Sequence, residues 1–214
     1  MKLTSRSIVN GQRIPVSNAM GAPGADGPVP GPNKSPHLAW SEFPAETKSF
    51  AIVCHDPDVP SVGDDVNKPD RTVPIDLPRV DFYHWVLVDV APTTTELTEG
   101  IDADGIVPKG KQPGRTAIGV RGINDYTSWF GDDPDMGGDY GGYDGPWPPF
   151  NDERLHHYHF TVYALDVDSL ALPEKFRGPD AIAAIEGHIL DKATIIGTYA
   201  LNADASAAPG TRIE

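Results

Sequence analysis

The chain has 214 residues, with 31 Asp and Glu against 17 Lys and Arg and a formal net charge of -14. The length suffices for one unit, residues 1–214, with a sizeable core, and the acidity opposes long-range attraction to nucleic acid or an anionic membrane surface. Gly and Pro at 22 each favour short strands and many turns, while the lone Cys54 rules out an internal disulfide and fits a reducing, cytoplasmic setting. The segment Met1–Ser7 lacks the apolar region of a secretory signal, and no apolar run approaches the ~20 residues of a transmembrane helix.

Residues 9 to 36 read as turns between short strands. Phe50-Ala51-Ile52-Val53-Cys54 is a short apolar run that suits a buried strand, and Cys54 suits a small core residue. Residues 56 to 81 follow as a long loop, opened by Asp56-Pro57-Asp58-Val59-Pro60, whose prolines stiffen it. Asp58 is expected to serve that loop through a local side-chain bond. His84 opens a second strand that runs to Val90. Residues 121 to 151 form another long loop, ending in the stiff Gly145-Pro146-Trp147-Pro148-Pro149. Trp129 and Trp147 in this loop are open to either ligand contact or loop packing. From His157 to Leu165 the sequence alternates, with Tyr158, Phe160, Val162 and Ala164 on one face. Extended back, the pattern puts His156 on the Tyr158 side. It gives His157 and His159 to the other face, expected to be solvated. Asp180 to Lys192 has the best helical stripe, with Ile182, Ile185 and Ile189, and His188 on it reads as packing or capping. A last strand is expected from Ile195 to Leu201. Strands dominate, so the expected fold is mainly β, sheet on sheet, with peripheral helices.

The order Asp-Pro-Asp-x-Pro at 56–60, His-Trp at 84–85, Gly-Pro-x-Pro-Pro at 145–149 and His-x-Tyr at 156–158 resembles the phosphatidylethanolamine-binding protein family, which includes the Raf kinase inhibitor proteins. Asn33–Trp40, Tyr140–Tyr143, Tyr163–Asp166, Gly187–Leu190 and Gly197–Tyr199 support the match, which runs from about residue 8 to 201 and is nearest the bacterial and archaeal branch. The resemblance implies a two-sheet, antiparallel, β-sandwich-like fold with C-terminal helices. It also implies an anion pocket made by Asp56, His84, His156 and Tyr158, with Pro60 and Pro149 in its wall. His157 stands where the family often has Arg, and the loops at 61–81 and 124–140 look longer than the family's.

Imidazole and phenol donate to an acidic group, and a carboxylate beside an imidazole stabilises its cation. Asp56 therefore reads as the orienter of a histidine. It is expected to hold the pocket titration above about 6.5, so that anion binding weakens as pH rises. The leading function is a ligand-binding protein for phosphate, a phosphorylated metabolite or a phospholipid headgroup, with no cofactor or metal. The family resemblance implies a protein partner, a kinase or protease, and a homodimer is also open. The second reading is an enzyme in which the two histidines and Asp56 hold a metal or act as acid and base on a small anion. No nucleophile elbow, phosphate-binding loop or HExxH motif supports it.

Overall fold

The computed structural model describes residues 1–207. The unit expected over 1–214 therefore includes residues 208–214, which lie outside the described residues. The fold is mostly β. In chain order the strands are β1 (Lys2–Thr4), β2 (Gly21–Ala22), β3 (Val29–Pro30), β4 (Leu38–Ser41), β5 (Ser49–Pro60), β6 (Arg79–Val90), β7 (Glu96–Leu97), β8 (Gly114–Arg115), β9 (Val120–Arg121), β10 (His156–Leu165) and β11 (Ile189–Tyr199). Helix α1 spans Tyr126–Trp129 and α2 spans Gly178–Ile185. A six-stranded antiparallel sheet runs β11-β10-β5-β6-β9-β8, and a three-stranded one runs β1-β4-β7. A third sheet pairs β2 with β3.

The large sheet is covered on both faces. Phe50, Ile52, Cys54, Trp85 and Leu87 meet Leu38, Trp40 and Leu97 of the small sheet on one side, together with the alternating set Tyr158, Phe160, Val162 and Ala164. Ala51, Val53, Val86, Val88 and Leu165 meet Phe176, Ala181 and Ile185 around α2 on the other. Double coverage explains why Phe50–Cys54 is a continuous apolar run rather than an alternating one. Cys54 is fully buried, as expected, and burial followed by the Asp56 charge pushes its thiol up.

Several boundaries differ from the sequence reading. Asp56 to Pro60 lies within β5, not in a loop, and His84 sits mid-way along β6. Pairing of β5 with β10 runs from Ser49 and ends at His55, and the register against β6 slips between Asp56 and Val59. Pro57 thus falls where the ladder is already irregular, which is where a strand tolerates proline. The helix expected at 180–192 starts at Gly178 and stops at Ile185. Asp180 is its third residue and accepts the Arg177 N–H at 2.9 Å. Ile189 onward instead pairs along the whole of β10, from Leu165↔Ile189 to His156↔Tyr199. Ile182 and Ile185 do lie on α2, and the long ladder claimed Ile189. The C-terminal part therefore holds one helix and a strand among the described residues, rather than several helices. No helix among these residues is long and apolar enough to cross a membrane.

Gly178 brings α2 onto the sheet: a Cβ there would stand 2.1 Å from Cγ of Tyr83. Gly178→Ala should therefore destabilise the fold by about 1–3 kcal/mol. Urea unfolding should show a lower midpoint at unchanged slope, and an unchanged midpoint would mean that the Tyr83 ring yields freely.

Candidate functional site

All six residues singled out in the sequence, Asp56, Pro60, His84, Pro149, His156 and Tyr158, line one cavity of about 340 Å³. The sheet brings them together. His84 comes from β6, Asp56 from the slipped end of β5, and His156 and Tyr158 from the start of β10, on the same side. Phe82, Tyr126, Trp129, Phe130 and Trp147 complete much of the wall. Both indoles left open by the sequence thus lie at the cavity, with Trp129 54% exposed.

His156 is 1% exposed and is gripped at both nitrogens. Nδ1 donates to Asp56 Oδ2 at 2.6 Å, and Nε2 donates to Asp152 Oδ2 at 3.1 Å. Burial opposes a charge here, but the two carboxylates outweigh it and raise the imidazolium pKa to about 9. Asp152 is itself held by a two-pronged Arg79 guanidinium at 2.6 and 3.0 Å. Burial would raise the Asp152 carboxyl, yet its bonds to His156 and Arg79 hold it below the usual range. Asp56 also accepts the Asp58 N–H at 2.8 Å, so the orienter role expected of it is what its contacts give. The local bond expected of Asp58 is made by Asp56 instead.

His84 has the opposite electrostatics. Its Nδ1–H donates to the Asp144 carbonyl at 2.9 Å, and the Asp144 N–H returns a bond of 2.9 Å to the His84 carbonyl. Phe82, Tyr126 and Tyr158 pack around the ring, with centroids at 4.9, 5.5 and 5.1 Å. Burial lowers its pKa below the ordinary histidine value, against the raising pull of Asp56 and Asp144. The neutral ring therefore carries its hydrogen on Nδ1 and leaves Nε2 as a lone-pair acceptor, on a side chain that lines the cavity. The expectation that the pocket histidines titrate above 6.5 holds for His156 and is reversed for His84. Burial, then the Asp56 charge, pushes the Tyr158 phenol up, so it remains a donor.

His157 does not lie on a solvated face. It is 4% exposed, and Asp58 Oδ2 accepts from both its backbone N–H (3.1 Å) and its Nδ1 (2.8 Å). His159 is half-buried beside His55, with ring centroids 5.0 Å apart. His188 lies beyond the end of α2, where its Nδ1 meets Asp166 at 2.8 Å. Sequence reading missed three anchors. Asp152 precedes His156 by one i,i+4 step, a spacing that had no meaning in an assumed loop. Asp144 receives Asn33, Lys111 and Asn124 on its carboxylate, at 2.8, 2.9 and 2.9 Å. Asn33 takes a positive φ of 53°, a conformation asparagine tolerates, and so reaches the strap that carries Asp144.

A family model described as phosphatidylethanolamine-binding protein matches residues 4–200. The chain belongs to the phosphatidylethanolamine-binding protein family. A protein of Methanothermobacter thermautotrophicus is 34% identical over 169 residues, covering 79% of this chain and 84% of its own length. YbhB of Escherichia coli is 30% identical over 201 residues, covering 93% and 99%. The crystal structure of E. coli YbcL, described as a member of the mammalian family, superposes with a TM-score of 0.65 at 26% identity, covering 93% of this chain and 97% of YbcL. Family membership and the two-sheet antiparallel fold implied by the sequence motifs are thus both found.

The raised His156 pKa has a signed consequence. Its folded value of about 9 lies above the unfolded reference of about 6.5, so its contribution is complete below pH ~6.5 and is lost as pH rises through ~9. Stability should fall over that window by on the order of 3 kcal/mol. His156→Gln should be less stable at neutral pH and show a flatter profile. Denaturant unfolding at pH values across the window checks both, and parallel profiles for the two proteins would exclude a charged His156.

Proposed function

We propose that this protein binds a small, singly charged acid that keeps one hydroxyl, such as a monoester of phosphate in its monoanionic form, with no covalent chemistry. The observation that carries this reading is the neutral His84, which presents Nε2 as an acceptor while Nδ1 is committed to the Asp144 carbonyl.

The charges beneath the cavity are already matched. Arg79, Arg154 and the His156 cation stand against Asp56, Asp58 and Asp152. Both N–H groups of His156 are committed to carboxylates, so it neither donates to the ligand nor offers a lone pair to a metal. Among the described residues no lysine or arginine lines the cavity to meet a dianion, and the net charge of -14 repels one at a distance. A monoanion with an acidic –OH suits the site better. The –OH donates to His84 Nε2, and the Tyr158 hydroxyl donates to an anionic oxygen. A fully ionised acid requires His84 to take up a proton instead. Either route delivers one proton with the ligand, so binding favours low pH. This supports acid recognition while changing the residue responsible: His84 titrates, and His156 is the fixed floor.

Affinity for a phosphodiester monoanion, which has no –OH to give, should fall as pH rises through the His84 titration of the complex. His84 in the free protein titrates below the ordinary value, so ligand binding raises it and proton uptake accompanies binding between the two values. Calorimetry in two buffers of different ionisation heat measures that uptake directly. His84→Ala should weaken binding by ~10-fold to ~100-fold, the range for a lost hydrogen bond to a charged group. Affinity independent of pH, with unchanged affinity in a folded His84→Ala protein, would remove His84 from the site.

A further inference from the structure

The acid-binding end uses only part of the cavity. The rest of its wall is dominated by aromatic rings held in fixed positions. Trp147 lies flat against Gly21: a Cβ there would stand 2.4, 2.5 and 2.6 Å from Cγ, Cδ1 and Cδ2 of the indole. The preceding Pro146 carbonyl accepts the N–H groups of Met20 and Gly21 at 3.0 and 2.9 Å, which pins the strap to β2. Tyr126 is fixed by its hydroxyl bond to the Gly145 carbonyl at 2.7 Å. Phe130 stacks on Tyr126 with centroids 5.6 Å apart and planes at 17°, and Phe82 meets it edge-on at 5.1 Å. Trp129 closes this row at the end of α1 with over half of its surface exposed.

Neither Trp129 nor Trp147 stacks on another aromatic ring among the described residues, although both line the cavity. The exposed Trp129 ring and the half-buried Trp147 ring seated on Gly21 favour a planar partner over a flexible chain, because stacking adds to simple burial and a planar ligand loses little entropy on binding. The volume of about 340 Å³ is at the low end for small-molecule sites. It suits one ring and one acid group.

We propose that the ligand is a small aryl or heteroaryl acid, in which a planar ring enters the Trp129–Trp147 wall while its monoanionic acid group reaches His84 and Tyr158. The inference rests on the acid-binding reading and adds the identity of the group attached to the acid.

Three probes separate the two ideas: inorganic phosphate, cyclohexyl phosphate and phenyl phosphate, titrated by calorimetry into the full chain at mildly acid pH. Phenyl phosphate should bind roughly 3- to 10-fold more tightly than cyclohexyl phosphate, the range expected of an added aromatic pair. Trp129→Leu keeps an apolar side chain at an exposed position and should bring that ratio close to one. Gly21→Ala drives the Trp147 ring out of its seat and should lower the ratio as well. Equal affinity for the phenyl and cyclohexyl esters in the unaltered protein would overturn the aryl assignment and leave the acid site standing. A ratio that survives in both folded variants would also overturn it, since the preference would then arise elsewhere. Binding of none of the three probes would sink the acid site, and the aryl assignment with it.

Discussion

A protonated imidazole held between two buried carboxylates fixes the floor of the cavity and much of what surrounds it. His156 lies at the start of β10, Asp56 is 100 residues earlier on β5, and Asp152 is 4 residues before it. Arg79, at the start of β6, completes the chain. Each member is nearly shielded from water, so each charge is tolerable only because its neighbours oppose it. Removing one leaves an uncompensated charge in the interior, which costs more than the intact pair contributes. The string therefore acts as a geometric constraint: it ties three segments into one arrangement and leaves a cavity floor with little net charge.

The same string reaches outward to the loop between β5 and β6. Arg79 also donates to the carbonyls of Pro74 and Leu77, and Arg154 donates twice to the carbonyl of Ile75. Beside them, the Asn151 amide donates to the carbonyls of Asp65, Lys68 and Arg71. A segment rich in proline and aspartate, with little apolar surface of its own, is thereby folded down by side chains from the strap before β10. Gly63, Val66 and Asn67 of this loop become part of the cavity wall. Its length adds to the wall, and the charged floor holds it in place.

The two histidines of the cavity show how burial alone does not set a titration. Both are almost fully enclosed. His156 meets two carboxylates and stays charged; His84 meets aromatic rings and a carbonyl and stays neutral. Desolvation disfavours the cation in both, and only directly bonded negative groups reverse it. One residue type thus supplies a permanent cation that organises the protein and a neutral acceptor that can receive a proton.

The sequence by itself determined the β character and the core face of β10, and its motifs, through the family resemblance, picked out six of the residues at the cavity. Alternation at Tyr158, Phe160, Val162 and Ala164 is a local signal, and side chains on alternate positions must share a face. The prolines at 57, 60, 148 and 149 likewise declare their stiffness locally. Local signals failed where long-range pairing cut a helical pattern short. Ile182, Ile185 and Ile189 fit a helical stripe, yet Ile189 joined a strand because β10 offered it a complete ladder. Only the tertiary structure decided that Asp152 and Asp144 are anchors, that His157 is buried against Asp58, and that His84 and His156 carry opposite protonation. Those properties depend on which carboxylate or carbonyl lies within about 3 Å of a ring nitrogen, and such distances are set between segments up to 100 residues apart, where no sequence period extends.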